Sequence, residues 1–165
     1  MSELRTNRIV PRDGLASGAS GGVIQVVFTS LATGSTVTVN SSSFVDVMSA
    51  SITPTRSDSK ILVQVTSSPK TNGSSSNFQF GAQIQRDSTT IMYDNEYLQM
   101  NNGYAPNSFN GAYTVLDSPA STSAVTYKFR VKETVDGREL YFENSTDNTG
   151  NYYNKHTMTL MEVSG

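Results

Sequence analysis

The chain has 165 residues, with 12 lysines and arginines against 14 aspartates and glutamates, one histidine, no tryptophan and no cysteine. A net charge of -2 gives no electrostatic footprint for a nucleic-acid backbone or an anionic membrane, and the lack of thiols excludes disulfides, thiolate metal sites and a cysteine nucleophile. Ser, Thr and Asn make up about a third of the sequence, which favours strands and turns over helices in a length suited to one core.

Met1 to Asp13 read as a polar arm in which Arg5, Arg8 and Arg12 stand against Glu3 and Asp13. Its sizeable apolar groups are Leu4, Ile9 and Val10, and Gly14 to Gly22 is a flexible linker by composition. Residues 1–22 are therefore expected to form an extended N-terminal arm, and residues 23–165 a head domain. Composition leaves two readings of that arm, a disordered tail or an anchor, and in the second Leu4, Arg5, Arg8, Ile9 and Val10 are the anchoring residues. The start has no apolar signal core, and no apolar run is long enough to cross a bilayer, so a cytosolically made, soluble protein without membrane insertion is expected.

Val23 to Thr29 is the first strand of the head, with Ile24, Val26 and Phe28 on one face and Gln25 on the other. Ser35 to Asn40 alternates Val37 and Val39 with Thr36 and Thr38, and Phe44 to Thr53 continues as strand with room for a bulge. Pro54 then closes that strand and opens a polar turn, after which Ile61, Val63 and Val65 alternate through a strong strand from Lys60 to Ser67. Asn77 to Arg86 puts Phe78, Phe80, Ala82 and Ile84 on one face and Gln79, Gln83 and Gln85 on the other. That glutamine row is either a solvated sheet face or a symmetric subunit contact.

Ile91 to Tyr93 resumes strand, Asp94 to Met100 is expected to form one helical turn, and Asn101 to Gly111 is loop. A second strand-proline-turn-strand unit follows, Ala112 to Leu116, Pro119, then Val125, Tyr127, Phe129 and Val131 facing one way. Asp136-Gly137 is a hairpin signal that makes Leu140 to Phe142 its return strand. Asn144 to Asn154 is a second Asn/Gly/Tyr loop, and Thr157 to Val163 closes the sheet. Nine or ten strands with no sustained helical period predict an all-β fold, an antiparallel β-sandwich of jelly-roll character.

The inventory for catalysis is thin. His156 stands alone, no serine sits in a nucleophile elbow, and no glycine loop matches a phosphate cradle. Asp87, Asp94 and Glu96 form one carboxylate group and Glu143 and Asp147 another; a glycan-cleaving pair or a calcium site is weighed against turn capping, and capping is preferred. No catalytic residue, metal site or cofactor is expected.

Three stretches carry a resemblance: Ser51-Ile-Thr-Pro54 with Ser59-Lys-Ile-Leu-Val63, Leu116 to Tyr127, and the closing Met161-Glu-Val-Ser-Gly165. With the opening Met1 to Ile9 and Gly21 to Val27, they resemble tail-fibre-like virion structural proteins of tailed phages of the marine and cyanophage type. The resemblance implies a non-enzymatic protein on the virion surface, a short tail fibre or fibre-tip adhesin. It also implies a homotrimer anchored to other virion proteins through its arm. The alternatives are a capsid decoration or knob protein, and a glycan-binding or glycan-cleaving module. Tyr93, Tyr97, Tyr104, Phe109, Tyr152 and Tyr153 fall on or beside the two Asn/Gly-rich loops and the segment leading into the first. They are the candidate receptor-binding residues, weighed against a reading in which several of the tyrosines cover sheet edges. Tyrosine faces stack on sugar rings while asparagine amides meet hydroxyls, so host-surface glycan is the expected ligand class, with both loops at the end opposite the arm.

Overall fold

The computed structural model describes residues 22–72, 77–101, 110–134, 139–146, 152–153 and 156–164, and every regular element among them is a strand. In chain order these are β1 (Val23–Ser30), β2 (Thr36–Val39), β3 (Val45–Ile52), β4 (Lys60–Ser67), β5 (Lys70–Asn72), β6 (Asn77–Arg86) and β7 (Thr89–Asn101). There follow β8 (Gly111–Asp117), β9 (Val125–Glu133), β10 (Glu139–Glu143), β11 (Ser145–Thr146), β12 (Tyr152–Tyr153) and β13 (Thr157–Val163). Two antiparallel four-stranded sheets, β1-β13-β4-β8 and β3-β9-β6-β7, form a β-sandwich, accompanied by a three-stranded sheet β2-β10-β5 and the short ladder β11-β12. The arm and its candidate anchors Leu4, Arg5, Arg8, Ile9 and Val10 lie outside the described residues.

Alternation places the core where the sequence puts it. Ile61, Val63 and Val65 of β4 meet Phe80, Ala82 and Ile84 of β6 and Val125, Tyr127, Phe129 and Val131 of β9, all buried between the sheets. Phe129 sits edge-on to Phe142, and Tyr113 reaches it from β8. Burying side chains of this size contributes roughly 1.5–3 kcal/mol each. The expected bulge in β3 falls between Asp46 and Met48, and it lets Val47 and Met48 both turn inward.

Six connections between the two large sheets cross from one to the other, and only β6–β7 is a hairpin within a sheet. The two proline turns are therefore arches and not hairpins: Pro54 carries the chain from β3 to β4, and Pro119 carries it back from β8 to β9. The register puts both arches at one end, since Val163 pairs with Val23, Lys60 with Val163, and Ile61 with Asp117. The opposite end gathers Ser30, Thr157, Thr66, Ser67 and Gly111, together with the three-stranded sheet.

Three local expectations are corrected. Asp94 to Met100 is not a helical turn but part of β7, because pairing with Phe78 to Ala82 of β6 gives its backbone a ladder to join. Leu140 to Phe142 does not return along β9; that strand is hydrogen-bonded on both edges, by β3 and β6, so β10 pairs with β2 and β5 instead. The segment from Asn144 to Asn154 is not all loop, since Ser145 and Thr146 pair with Tyr153 and Tyr152.

Candidate functional site

The sandwich offers three surfaces: the loop end and the outward faces of its two sheets. At the loop end, the stems of both Asn-rich segments come together. Gly111, where the first segment rejoins the sheet, pairs with Ser67, and His156, where the second does so, sits against the same turn. A cleft of about 300 Å³ opens here, lined by Thr66, Ser67, Ser68, Asn110, Gly111 and Ala112, with the Ser68 hydroxyl bonded to the Asn110 side chain. Tyr104 and Phe109 lie outside the described residues, and the structure places only the backbone of Tyr97, Tyr152 and Tyr153.

Two buried side chains that composition alone does not single out hold this end. His156 accepts a hydrogen bond from the Ser68 amide at Nδ1 (3.3 Å), so its proton sits on Nε2, which donates to the Glu143 carbonyl (3.1 Å). Its own carbonyl accepts from Leu31 (3.1 Å), and its ring lies edge-on to Phe142. Burial pushes the imidazole below its ordinary pKa, against the opposing pull of the Glu143 carbonyl and carboxylate. Asn144 donates from its side chain to the Leu31 carbonyl, while its backbone bonds Ser35 and Gly34. Gly34 has φ +78, a conformation that glycine adopts without a Cβ penalty.

Asp87, Asp94, Glu143 and Asp117 act as structural acceptors, and Asp147 lies outside the described residues. Asp87, in the β6–β7 turn with φ 50, receives the Thr126 amide (2.9 Å). Asp94 receives the Tyr113 hydroxyl (2.6 Å) and the Glu96 amide (2.9 Å). Glu143 pairs with Lys70, which ties β10 to β5. Asp117 takes the Tyr127 hydroxyl (2.7 Å) and Arg86 Nη1 (2.6 Å), joining the two sheets at the arch end. Burial and the Asp117 hydrogen bond push the Tyr127 hydroxyl far above its ordinary pKa. Among the described residues, no group of three or more His, Asp or Glu could hold a metal ion, and no helix is long and apolar enough to cross a membrane.

The outward face of the β3-β9-β6-β7 sheet is charged and internally paired. Asp46 accepts from Lys128 Nζ (2.6 Å) and Arg130 Nε (2.5 Å), and Arg130 also reaches Gln85 (3.1 Å) and the Phe44 carbonyl (3.2 Å). Burial works to raise the Asp46 pKa, and the two cations outweigh it and hold the carboxyl below its ordinary range. The glutamine row is engaged here as well: Gln83 is buried and bonds Thr90, and Gln79 donates to the Asn95 carbonyl (3.3 Å).

Tyr93 lies on this broad face and not on the loops, 50 % exposed and edge-on to Phe44 at 6.0 Å. Lys132 stands over both rings, at 5.1 Å from Phe44 and 5.6 Å from Tyr93. Phe44 and Lys132 were not candidates in the sequence, because only the pairing of β7, β6 and β9 brings these positions together.

The outward face of the β1-β13-β4-β8 sheet is different in kind. Its register aligns Val26, Met161, Leu62 and Leu116 in one row across four strands. The next row is Phe28, Thr159, Gln64 and Thr114, and the third is Ser30, Thr157, Thr66 and Ala112. The row at the arch end holds Val23, Val163 and Lys60, and Lys60 is the only charged residue in the four rows. Val26 is 56 %, Phe28 63 % and Leu116 51 % exposed.

The side of β1 that carries Val26 and Phe28 is outward, and the side that carries Gln25 faces Glu162. Gln25 donates from Nε2 to Glu162 (2.6 Å) and to the Thr53 carbonyl (2.7 Å). Glu162, fully buried on β13, also accepts the Thr55 amide (2.8 Å) and hydroxyl (2.7 Å). Burial pushes its carboxyl up, and the donors that reach it, Gln25 and Thr55, prevail and hold the pKa at about 2.

No protein-family model matches the chain, and no curated protein matches it.

Proposed function

We propose that this chain is a non-enzymatic virion structural protein of a tailed bacteriophage, acting as a short tail-fibre or fibre-tip adhesin built as a homotrimer. The resemblance in Ser51 to Val63, Leu116 to Tyr127 and Met161 to Gly165 suggests the class. The observation that carries the adhesin reading is the opposition of the two ends. The head begins at Val23 beside the two proline arches, while both Asn/Tyr-rich segments spring from the far end. A chain held by the residues ahead of Val23 would present those segments outward, on a rigid sheet beneath.

The strand order agrees with jelly-roll character. Of the eight long strands, the first, last, third and sixth form one sheet, and the second, seventh, fourth and fifth form the other. That order, with crossings at each step but one, is the product of two nested Greek keys. The single histidine and the carboxylates of Asp87, Asp94 and Asp117 serve hydrogen bonds that hold strands and turns, which favours binding over catalysis. The ligand class that suits the Tyr and Asn content of the loop end is host-surface glycan.

The test is the location and copy number of the chain in intact particles, by immunogold labelling and quantitative mass spectrometry. A few copies at the tail are expected. Hundreds of copies on the head would overturn the adhesin and leave the decoration protein.

A further inference from the structure

We infer that the outward face of the β1-β13-β4-β8 sheet is the surface through which copies of this chain associate. This deepens the homotrimer proposed above by giving it a contact face, and it rests on that reading's claim that the chain self-associates.

The inference starts from register. Scattered exposed apolar residues are ordinary on any surface, but Val26, Met161, Leu62 and Leu116 are neighbours in one unbroken row, flanked by Phe28. The two ends of the stripe, Phe28 and Leu116, are both more than half exposed. Nor is the row a consequence of β1 lacking polar residues, since Gln25 is available and is turned inward to Glu162.

Charge then selects the occupant. Among the described residues this face presents Lys60 and no carboxylate, so a charged partner would bury its ionic groups against threonines and aliphatics without compensation. A further copy brings the same uncharged surface, and around a three-fold axis one part of this face on each copy meets a different part of the same face on the next. The opposite sheet face is charged, with Asp46 between Lys128 and Arg130 and Lys132 over two rings, so a second copy would set like charges against one another there. Size comes close. Four strands at about 4.8 Å spacing and seven residues at about 3.4 Å rise give a face of about 450 Å² in projection. Two such faces approach the roughly 1,000 Å² that a specific interface should clear.

The experiment uses the full chain, Met1–Gly165, in multi-angle light scattering at micromolar concentration. Phe28→Glu and Leu116→Glu sit at the two ends of the stripe and are exposed enough for the fold to accept a charge, which circular dichroism and the urea midpoint check. Lys128→Ala on the opposite face is the control. We expect the wild type and Lys128→Ala to have the mass of three chains, and the two glutamate variants to fall threefold to one. A wild-type mass of one chain overturns both this inference and the homotrimer, and leaves the face to another virion protein or to the chain's own leading residues. An oligomer that survives both glutamate variants overturns the face alone and leaves self-association standing.

Discussion

The two outward faces of this sandwich are built on the same scaffold and solve opposite problems. On the β3-β9-β6-β7 sheet, Asp46, Lys128 and Arg130 satisfy one another, and Lys132 stands over the Phe44 and Tyr93 rings. On the β1-β13-β4-β8 sheet, the row from Val26 to Leu116 carries no charge, and both its end residues are more than half exposed. The difference teaches that an outward face is decided partly from inside. Glu162 needs Gln25, Gln25 occupies the inward side of β1, and alternation then sends Val26 and Phe28 out.

The sharpest way to break that comparison is to remove its cause. Glu162→Ala leaves Gln25 and Thr55 donors without their acceptor and is expected to cost about 3 kcal/mol, read as a lower urea midpoint. The same carboxyl sets an acid limit. Its folded pKa of about 2 lies below the ordinary 4.5, so its contribution is fully present above pH 4.5 and is lost as pH falls toward 2. Urea midpoints between pH 5 and 2 check this, and in Glu162→Gln that part of the slope should vanish.

Next in size is the cross-sheet bond at the arch end. Tyr127→Phe removes the hydroxyl that Asp117 accepts and is expected to cost about 1–2 kcal/mol. The loop end has its own proton dependence. His156 is held neutral with a pKa below 6.5, so the folded state binds fewer protons than the unfolded one. Its contribution is complete above about pH 6.5 and declines as pH drops below that value, because a proton on Nδ1 would displace the Ser68 amide. Equilibrium unfolding at pH 7.5 and 5.5 should show the wild type losing stability and His156→Gln losing less. The smallest effect belongs to the charged face. Asp46 is part exposed, and Asp46→Ala should cost less than about 1 kcal/mol and less still at high salt.

The legible part of the fold was the part written in local alternation. Ile61 to Val65, Phe80 to Ile84 and Val125 to Val131 announced their buried faces, because period two is a property of each strand alone. What was not legible depended on partners. Asp94 to Met100 has helix-tolerant residues, and only the ladder with β6 makes it strand. Asp136-Gly137 signals a hairpin locally, yet β9 has no edge to offer, so Leu140 to Phe142 joins a third sheet. For β1 the two sides were separated correctly, but which side faces the core turns on Glu162, far along the chain. Of the candidate binding residues, Tyr93 emerges on a broad face with Phe44 and Lys132, a grouping that needs the register of three strands. The roles of His156 and Asn144 in bracing the loop end carry no motif, since each acts through backbone groups distant in sequence.

The contrast between a paired face and an uncharged one predicts how association responds to salt. Light scattering of the full chain at 0.1 M and 1 M sodium chloride separates the two most directly, because ion pairs weaken with ionic strength while apolar burial does not. The account predicts the mass of three chains at both concentrations. A mass of one chain at 0.1 M, or a fall from three chains toward one at 1 M, would contradict it.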